Sequence, residues 1–121
     1  MTRRVLIVDD EPNIVTSLEF LMRANDYEVC SARTGEEALA EVERLDPDVL
    51  LLDLMLPHPG GLEVCRRIRG NRRHDHIRIV ILTARDRAAE QEQGRALGAD
   101  AYLIKPFSTR DVVDTVRGLM P

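Results

Sequence analysis

The stretch Val49-Leu50-Leu51-Leu52-Asp53 contains four consecutive apolar residues and ends in a carboxylate. A strand that is apolar on both of its faces is covered on both faces, which is typical of a parallel sheet between two layers of helices. Residues 5–8 and 79–82 form two further runs of the same character. These three runs together indicate a sheet of buried, parallel strands.

Short β-rich runs alternate with segments of helical periodicity along the whole chain. The runs begin near Arg4, Glu28, Asp48, Arg78 and Asp100, and each is followed by a segment long enough for one helix. This alternation predicts a (βα)5 protein of the α/β class, with a doubly wound, parallel five-stranded sheet. Crossovers are nearly always right-handed, and a sheet of this size most often has the flavodoxin-like strand order 2-1-3-4-5.

The fourth helical segment, about residues 86–97, differs from the other four. Its inward candidates are mainly small: Ala88, Ala89, Gly94 and Ala96, with Leu97 as the one large residue. A face built on alanine buries less apolar surface than one built on leucine or valine. We therefore expect this helix to be among the least stable parts of the domain, and to move in function.

Composition limits the class of protein. The 121 residues, 44% hydrophobic and 31% charged, suit one globular domain over residues 1–121. A net charge of -4 does not favour direct nucleic-acid binding or attraction to an acidic membrane surface, and no apolar run approaches the ~20 residues that span a bilayer. We expect a cytoplasmic protein whose Cys30 and Cys65 are reduced and fill apolar positions.

Polar side chains follow the predicted strands at the point where each strand ends. The first predicted strand ends in Asp9 and Asp10, the third in Asp53 and the fourth in Thr83, and Lys105 directly follows the fifth. In a parallel α/β sheet, ligands bind beyond the carboxyl ends of the strands. Lys105 is also the only lysine among the 17 Lys and Arg residues, and lysine supplies a compact point charge that arginine does not imitate.

The chemistry of this group indicates a phosphoryl site with a divalent cation. Carboxylates that lie close together repel one another, so at least one is expected to have a raised pKa unless a cation is bound. Oxygen ligands that are open to water suit Mg2+, for which Mn2+ may substitute, better than zinc. Thr83 and Lys105 could then donate to phosphoryl oxygens, and Asp53 is the best candidate for a nucleophile that forms an acyl phosphate.

Four motifs carry a resemblance to a known family. They are Val8-Asp9-Asp10, Leu52-Asp53-Leu54-Met55-Leu56-Pro57, Leu82-Thr83-Ala84 and Leu103-Ile104-Lys105-Pro106-Phe107. In this order and at these intervals they resemble the receiver domain of bacterial two-component response regulators, over essentially the whole chain. Receiver domains are signalling phosphoacceptors that assist only their own phosphorylation and dephosphorylation, so the resemblance implies a switch rather than an enzyme.

The resemblance implies a role for each matching residue. Asp53 accepts the phosphoryl group from a phosphohistidine, Asp10 is a direct Mg2+ ligand, and Asp9 acts largely through water. The backbone carbonyl of Met55 completes the share of the metal shell that the protein supplies. Thr83 moves to bond the phosphoryl group.

The resemblance also implies partners and an output. Tyr102 is the coupled aromatic switch, and the Lys105-Pro106 bond is cis, in keeping with the rarity of cis bonds outside X-Pro. The donor is a sensor histidine kinase or a histidine phosphotransfer protein. The fourth helix, fifth strand and fifth helix form the output face, which could also form a homodimer.

Three alternatives remain at this point. A haloacid-dehalogenase-like phosphatase would carry a second Asp two residues after the nucleophile, where this chain has Met55. A flavodoxin-like cofactor binder would carry a Ser/Thr/Gly loop after the first strand, where this chain has Asp9-Asp10-Glu11. A degenerate receiver would never take up phosphate, although every chemical position is filled.

Two smaller expectations concern loops. Arg85 and Met55 are bulky neighbours of the proposed site, so we expect them to exclude attacking water and to prolong the phosphoryl state. The run from Asn71 to His76 is short and lacks aromatic residues, and we interpret it as a solvated loop.

Overall fold

The computed structural model describes residues 2–84 and 88–121. Within these residues strands alternate with helices throughout, with one 3-10 turn, Arg72–His74, before the fourth strand. The strands are β1 (Arg4–Val8), β2 (Glu28–Ala32), β3 (Val49–Asp53), β4 (Arg78–Ala84) and β5 (Ala101–Lys105). The helices are α1 (Pro12–Ala24), α2 (Gly35–Leu45), α3 (Gly61–Arg69), α4 (Ala88–Ala96) and α5 (Thr109–Leu119).

The described strands form one parallel sheet in the order β2-β1-β3-β4-β5, which confirms the predicted fold. All five residues of β3, the central strand, are buried. Asp53 at its end pairs with Leu82 of β4, and Ala84 at the end of β4 pairs with Lys105 of β5. The carboxyl ends of these strands therefore meet at one edge of the sheet.

Helices cover both faces of the sheet. On one face α1 and α5 contribute a core that includes Val15, Leu18, Met22, Val112 and Val116. On the other face α2 and α3 contribute Ala38, Val42, Val64, Cys65 and Ile68. Cys65 and Cys30 are both free, as expected, although Cys30 is only partly buried.

Caps determine where the helices begin after the strands. The Thr34 hydroxyl accepts the Glu37 N–H at 3.1 Å at the start of α2, and the Ser108 hydroxyl accepts the Asp111 N–H at 3.0 Å at the start of α5. Pro12 starts α1 at a position where a backbone N–H would have no partner within the helix, so the N–H that proline lacks costs no hydrogen bond. These early helix starts keep the loops at the site edge short.

The fourth helix buries little, as expected, and of its predicted inward residues only Gly94 is buried, while Leu97, just after the helix, packs partly against the core. Ala88, Ala89 and Ala96 are exposed, and Gly94 is the buried residue of α4 among those described. A Cβ added at Gly94 would lie 3.6 Å from the Ile81 side chain, so the helix backbone itself packs close to the sheet. The alanines were wrongly assigned because α4 turns Gly94 towards the sheet and leaves the three alanines facing solvent.

The interpretation of residues 71–76 as a solvated loop is wrong for His74. Its ring is buried, and its Nε2 atom lies 2.9 Å from Oε1 of Glu43, next to the end of α2. The hydrogen bond to His74 is the main cause that lowers the pKa of Glu43. The 3-10 turn directs His74 inward, while His76 remains exposed and pairs with Asp46 at 2.7 Å.

No helix in the described part of the chain combines the length and apolar character needed to cross a membrane.

Candidate functional site

Three carboxylates meet where β1 and β3 end side by side. Asp9, Asp10 and Asp53 each offer one carboxylate oxygen, and these oxygens all lie within 4.8 Å of one another. Asp9 is fully buried and Asp53 is 3% exposed, whereas Asp10 faces solvent. The cluster is thus a buried acidic site with one exposed member, as the strand-end argument predicts.

Backbone N–H groups hold two of these carboxylates in place. Oδ1 of Asp9 accepts the N–H of Glu11 at 2.9 Å, and Oδ1 of Asp53 accepts the N–H of Met55 at 3.1 Å. Bonds between a carboxylate and the N–H two residues later are typical of aspartates in turns. The turn after each strand therefore orients the carboxylate that precedes it.

Gly61, the first residue of α3, lies against the backbone of Asp53. A Cβ at Gly61 would lie 2.5 Å from the Asp53 carbonyl oxygen and 2.8 Å from Cα of Leu54. Only a residue without a side chain allows α3 to begin this close to the end of β3. The glycine thereby helps to fix the loop that carries the proposed acceptor.

Lys105 brings the single lysine of the chain into the cluster from β5. Its Nζ atom lies 2.9 Å from Oδ2 of Asp9, 3.6 Å from Oδ1 of Asp53 and 3.5 Å from Oε1 of Glu11. β5 is separated from β3 by β4, so the side chain reaches across the end of one strand. The ammonium partly compensates the negative charge of the carboxylates.

The electrostatics of the site follow from burial and from this charge arrangement. Burial raises the pKa of Asp53, and the charges of Asp9 and Asp10 add to the shift, against the opposing effects of the Met55 N–H and Lys105. This agrees with the expectation that one of the crowded carboxylates has a raised pKa. Burial alone would lower the pKa of Lys105, but its hydrogen bond to Asp9 and the neighbouring carboxylates outweigh burial and raise it.

Thr83 and Tyr102 lie on neighbouring strands but face different surroundings. Thr83 is buried near the end of β4, between the strands that carry Asp53 and Lys105, and its hydroxyl donates to the Ala84 carbonyl at 3.4 Å. The Tyr102 hydroxyl instead donates to the carbonyl of Gln91 in α4. In this arrangement Tyr102 is bonded to the fourth helix and not to the acidic cluster.

The structure brings most of the predicted site residues together and adds others. Met55 contributes its N–H to the site while its side chain is 49% exposed, and Arg85 lies outside the described residues. Glu11 was missed as a site residue, although its position directly after the acidic pair was a usable signal. Arg95, which lies over the Tyr102 ring, gave no signal, because a contact between α4 and β5 depends on tertiary packing.

The backbone at two prolines adds a further comparison with the sequence. The Lys105-Pro106 bond is cis, as the resemblance implied. The His58-Pro59 bond is cis as well, which the sequence did not predict.

The donor set fits a hard divalent cation. The three groups that meet at the cluster are carboxylates, and hard oxygen ligands with one solvent-facing member are the ligands that Mg2+ uses when it keeps part of its water shell. Asp9, Asp10 and Asp53 are the residues that could hold it.

Comparison with known proteins gives a consistent result. Residues 5–117 match the family model described as response regulator receiver domain. Over 120 residues the chain is 41% identical to the alkaline phosphatase synthesis transcriptional regulatory protein PhoP of Bacillus subtilis (strain 168). That match covers 99% of this chain and 49% of PhoP, so the chain spans about half the length of this curated relative.

Solved structures match over nearly the whole chain. Chemotaxis protein CheY4 of Vibrio cholerae has a TM-score of 0.92 and 28% identity, and the match covers 99% of this chain and 100% of that one. The receiver domain of the sensor histidine kinase PA1611 of Pseudomonas aeruginosa PAO1 has a TM-score of 0.89 and 28% identity, with 98% of both chains covered. That structure holds a magnesium ion coordinated in its active site cleft.

Proposed function

Because the chain belongs to the response regulator receiver domain family, we propose that it is a switch that phosphorylation of Asp53 activates. Receiver domains act as signalling modules of two-component systems, and we infer that residues 1–121 act as one such module. The phosphoryl donor is a sensor histidine kinase or a histidine phosphotransfer protein. The module turns over no separate substrate and assists only its own phosphorylation and dephosphorylation.

One observation carries this proposal: Asp53 is a buried carboxylate within 3.6 Å of the Lys105 ammonium, inside a cluster of three carboxylates. Such a cluster is electrostatically unfavourable by itself, and a group that repels its neighbours is a frequent sign of function. The position at the end of the central strand, where ligands of α/β sheets bind, supports the same assignment.

The transfer step can be written for the residues of this chain. An oxygen of the Asp53 carboxylate attacks the phosphorus of a phosphohistidine, and a P–O bond forms as the P–N bond breaks. The imidazole leaves with the electron pair of the P–N bond and is neutral when its other nitrogen carries a proton. Lys105 faces the developing charge on the phosphoryl oxygens, and Thr83 donates its hydroxyl to one of them.

Asp9, Asp10, Asp53 and the Met55 carbonyl would hold Mg2+, or Mn2+ in its place. The cation supplies neutralisation of phosphoryl oxygens when it is bound. Asp10, which is exposed, suits a direct ligand that exchanges with solvent, and Asp9, which already accepts from Glu11 and Lys105, suits a contact through water. This division of roles follows the one that the family resemblance implies.

The output arises from a rearrangement of α4, β5 and α5. The phosphoryl group on Asp53 carries about two negative charges, where the free carboxylate carried one, and its oxygens attract the Thr83 hydroxyl, which must leave its bond to Ala84. The movement of Thr83 makes room for Tyr102 to turn towards it. If a Thr83→Ala variant keeps the full change in partner binding on phosphorylation, this coupling does not operate.

A donor protein can reach Asp53 from the side of α1. Phe20 is 76% exposed on α1, and a cleft of about 680 Å3 beside it is lined by Ile14, Leu21, Lys105 and Phe107 among others. Because Lys105 belongs both to this cleft and to the acidic cluster, a kinase seated there would bring its phosphohistidine to Asp53. Phe20→Ser should slow transfer from the cognate kinase but leave labelling by acetyl phosphate unchanged; equal slowing of both would contradict docking here.

Further partners follow from the same assignment. We propose that the output face formed by α4, β5 and α5 can form a homodimer. We also propose that this domain itself binds neither nucleic acid nor a membrane. The protein acts in the cytoplasm, where sensor kinases present their phosphohistidines. A dephosphorylating enzyme is the weaker candidate, because Met55 supplies no carboxyl group where a phosphatase needs its general acid.

The decisive experiment measures the intact mass of the protein after incubation with Mg2+ and acetyl phosphate. The wild-type protein should gain the mass of one phosphoryl group, and Asp53→Asn should gain none. Asp114→Asn, a change at an exposed aspartate of α5, is the matched control and should behave like the wild type. An unmodified wild-type protein, or full labelling of Asp53→Asn, would overturn the assignment.

A further inference from the structure

Two contacts join the Tyr102 side chain to α4. Its hydroxyl donates to the carbonyl of Gln91, and the guanidinium carbon of Arg95 lies 5.4 Å from the centroid of its ring. The first contact engages the tip of the side chain and the second engages its face. A guanidinium within about 6 Å of an aromatic centroid is attracted by the ring electrons.

The Tyr102 ring is partly buried and packs against the core beneath α4. Its hydroxyl lies over Gly94, where an added Cβ would be 3.5 Å away, an ordinary contact. Because Gly94 is the buried residue of α4 among those described, few apolar contacts hold this helix to the sheet. The contacts made by Gln91 and Arg95 are therefore a substantial part of what joins α4 to β5.

The register of β4 and β5 shows that these two contacts oppose a movement of the Tyr102 ring towards Thr83. Tyr102 pairs with Ile81, whereas Thr83 pairs with Ile104, two residues closer to the acidic cluster. Gln91 and Arg95 belong to the body and the last turn of α4. A ring that turns towards Thr83 must leave both of them.

We propose that Arg95 is a positioning residue of the switch, which holds Tyr102 against α4 and opposes its turn towards Thr83. The inference rests on the proposed function of Asp53, because only a group that attracts Thr83 gives the ring a reason to turn. Arg95 thereby sets how much phosphorylation is needed to change the output face.

The expected strength is moderate. The Arg95 side chain is 65% exposed, and its other contact within the described residues is an ion pair with Glu92 at the long distance of 4.0 Å. Exposed contacts between a cation and an aromatic ring are worth a factor of about three in an equilibrium. Arg95 thus biases the position of Tyr102 but does not lock it.

The test uses the small number of tyrosines. The chain contains 2 tyrosines, Tyr27 and Tyr102, so a Tyr27→Phe protein labelled with 3-fluorotyrosine gives one fluorine resonance, that of Tyr102. The variant is Arg95→Gln, which removes the charge but keeps a polar side chain. The matched control is Arg110→Gln, because Arg110 is an exposed arginine of α5 that pairs with Asp114 at 3.7 Å. Each protein is titrated with beryllofluoride, a phosphoryl mimic, at fixed Mg2+.

Arg95→Gln should move the Tyr102 resonance part of the way towards its position in the beryllofluoride-saturated wild type. It should also lower the beryllofluoride concentration at half-conversion by about three-fold, whereas Arg110→Gln changes neither. A merely structural role would not move the half-conversion point in this direction.

Two contrary results have separate meanings. If Arg95→Gln matches Arg110→Gln in both measurements, or needs more beryllofluoride than the wild type, the role of Arg95 is overturned while the proposed function stands. If the wild-type resonance does not respond to beryllofluoride at all, the proposed function of Asp53 is overturned, and the switch role of Arg95 with it.

Discussion

Lys105 and Asp9 form an ion pair with 2.9 Å between Nζ and Oδ2, in which the Asp9 side chain is fully buried and the Lys105 side chain is 19% exposed. The same ammonium lies 3.6 Å from Asp53. The Lys105 ammonium therefore neutralises the same carboxylates that a divalent cation at this cluster would bind. Two cations that are attracted by the same carboxylates weaken each other's binding.

Replacing Lys105 by Met should have opposite effects on stability and on metal affinity. In the presence of a chelator, the free energy of unfolding should fall by about 1–3 kcal/mol, because the buried Asp9 loses its charged partner. The affinity for Mg2+ should rise several-fold, because the competing ammonium is gone. Urea unfolding and calorimetric titration with Mg2+ measure the two effects.

The control for this change is Arg110→Met, which removes a cation of α5 outside the cluster. It should leave the affinity for Mg2+ unchanged. Equal affinities of the wild type and Lys105→Met would show that the cation does not bind at this cluster.

Replacing Asp53 by Asn should stabilise the protein at neutral pH. Burial raises the pKa of Asp53, so the ionised carboxylate is less favourable in the folded protein than in the unfolded chain. The stability contributed by the protonated group is complete below the unfolded pKa of about 3.9 and is lost as the pH rises through the raised, folded pKa. The asparagine variant avoids this loss, so its free energy of unfolding at neutral pH should exceed that of the wild type by on the order of 1 kcal/mol.

Urea unfolding with a chelator, from about pH 4 to neutral, tests this linkage. The difference between Asp53→Asn and the wild type should be small at the acidic end and grow as the pH rises. A difference that stays constant with pH would contradict the ionisation argument, even if the variant were more stable throughout.

Two glycine-to-alanine substitutions should change the stability of the protein in opposite directions. A Cβ at Gly61 would lie 2.5 Å from the Asp53 carbonyl oxygen, so Gly61→Ala should displace the loop and destabilise the protein by about 2 kcal/mol or more. Nothing lies within 4 Å of a Cβ at Gly118, inside α5, so Gly118→Ala should stabilise the protein by about 0.5–1 kcal/mol. Thermal unfolding of both variants checks the pair, and a stable Gly61→Ala protein would exclude the close approach.

Amide hydrogen exchange should be faster in α4 than in α1. The first helix buries Val15, Leu18 and Met22, whereas α4 buries only Gly94 among its described residues. Local opening of an element with few buried apolar contacts needs less free energy than global unfolding. Exchange in α4 as slow as in α1 would contradict the expectation that this helix moves.

The arrangement of strand ends was predictable because it depends on local patterns. The apolar runs that end at Val8 and at Leu52 define parallel strands, and parallel strands place their carboxyl ends at one edge. For this reason Asp9 and Lys105, separated by 96 positions in the chain, could be assigned to one site before their distance was known. The α4 alanines were wrongly assigned, because helical periodicity gives a face but not the line along which the helix touches the sheet.

The sequence by itself determined the order of elements, the class of fold and the group of polar residues at the site edge, since these follow from the periodicity of apolar residues and from the rules of parallel sheets. Only the tertiary structure decided which side chains pair within that group. Whether Lys105 is closer to Asp9 or to Asp53, whether His74 is buried, and whether Arg95 covers Tyr102 depend on how the elements pack against one another. That packing involves residues far apart in the chain, so no local pattern encodes it.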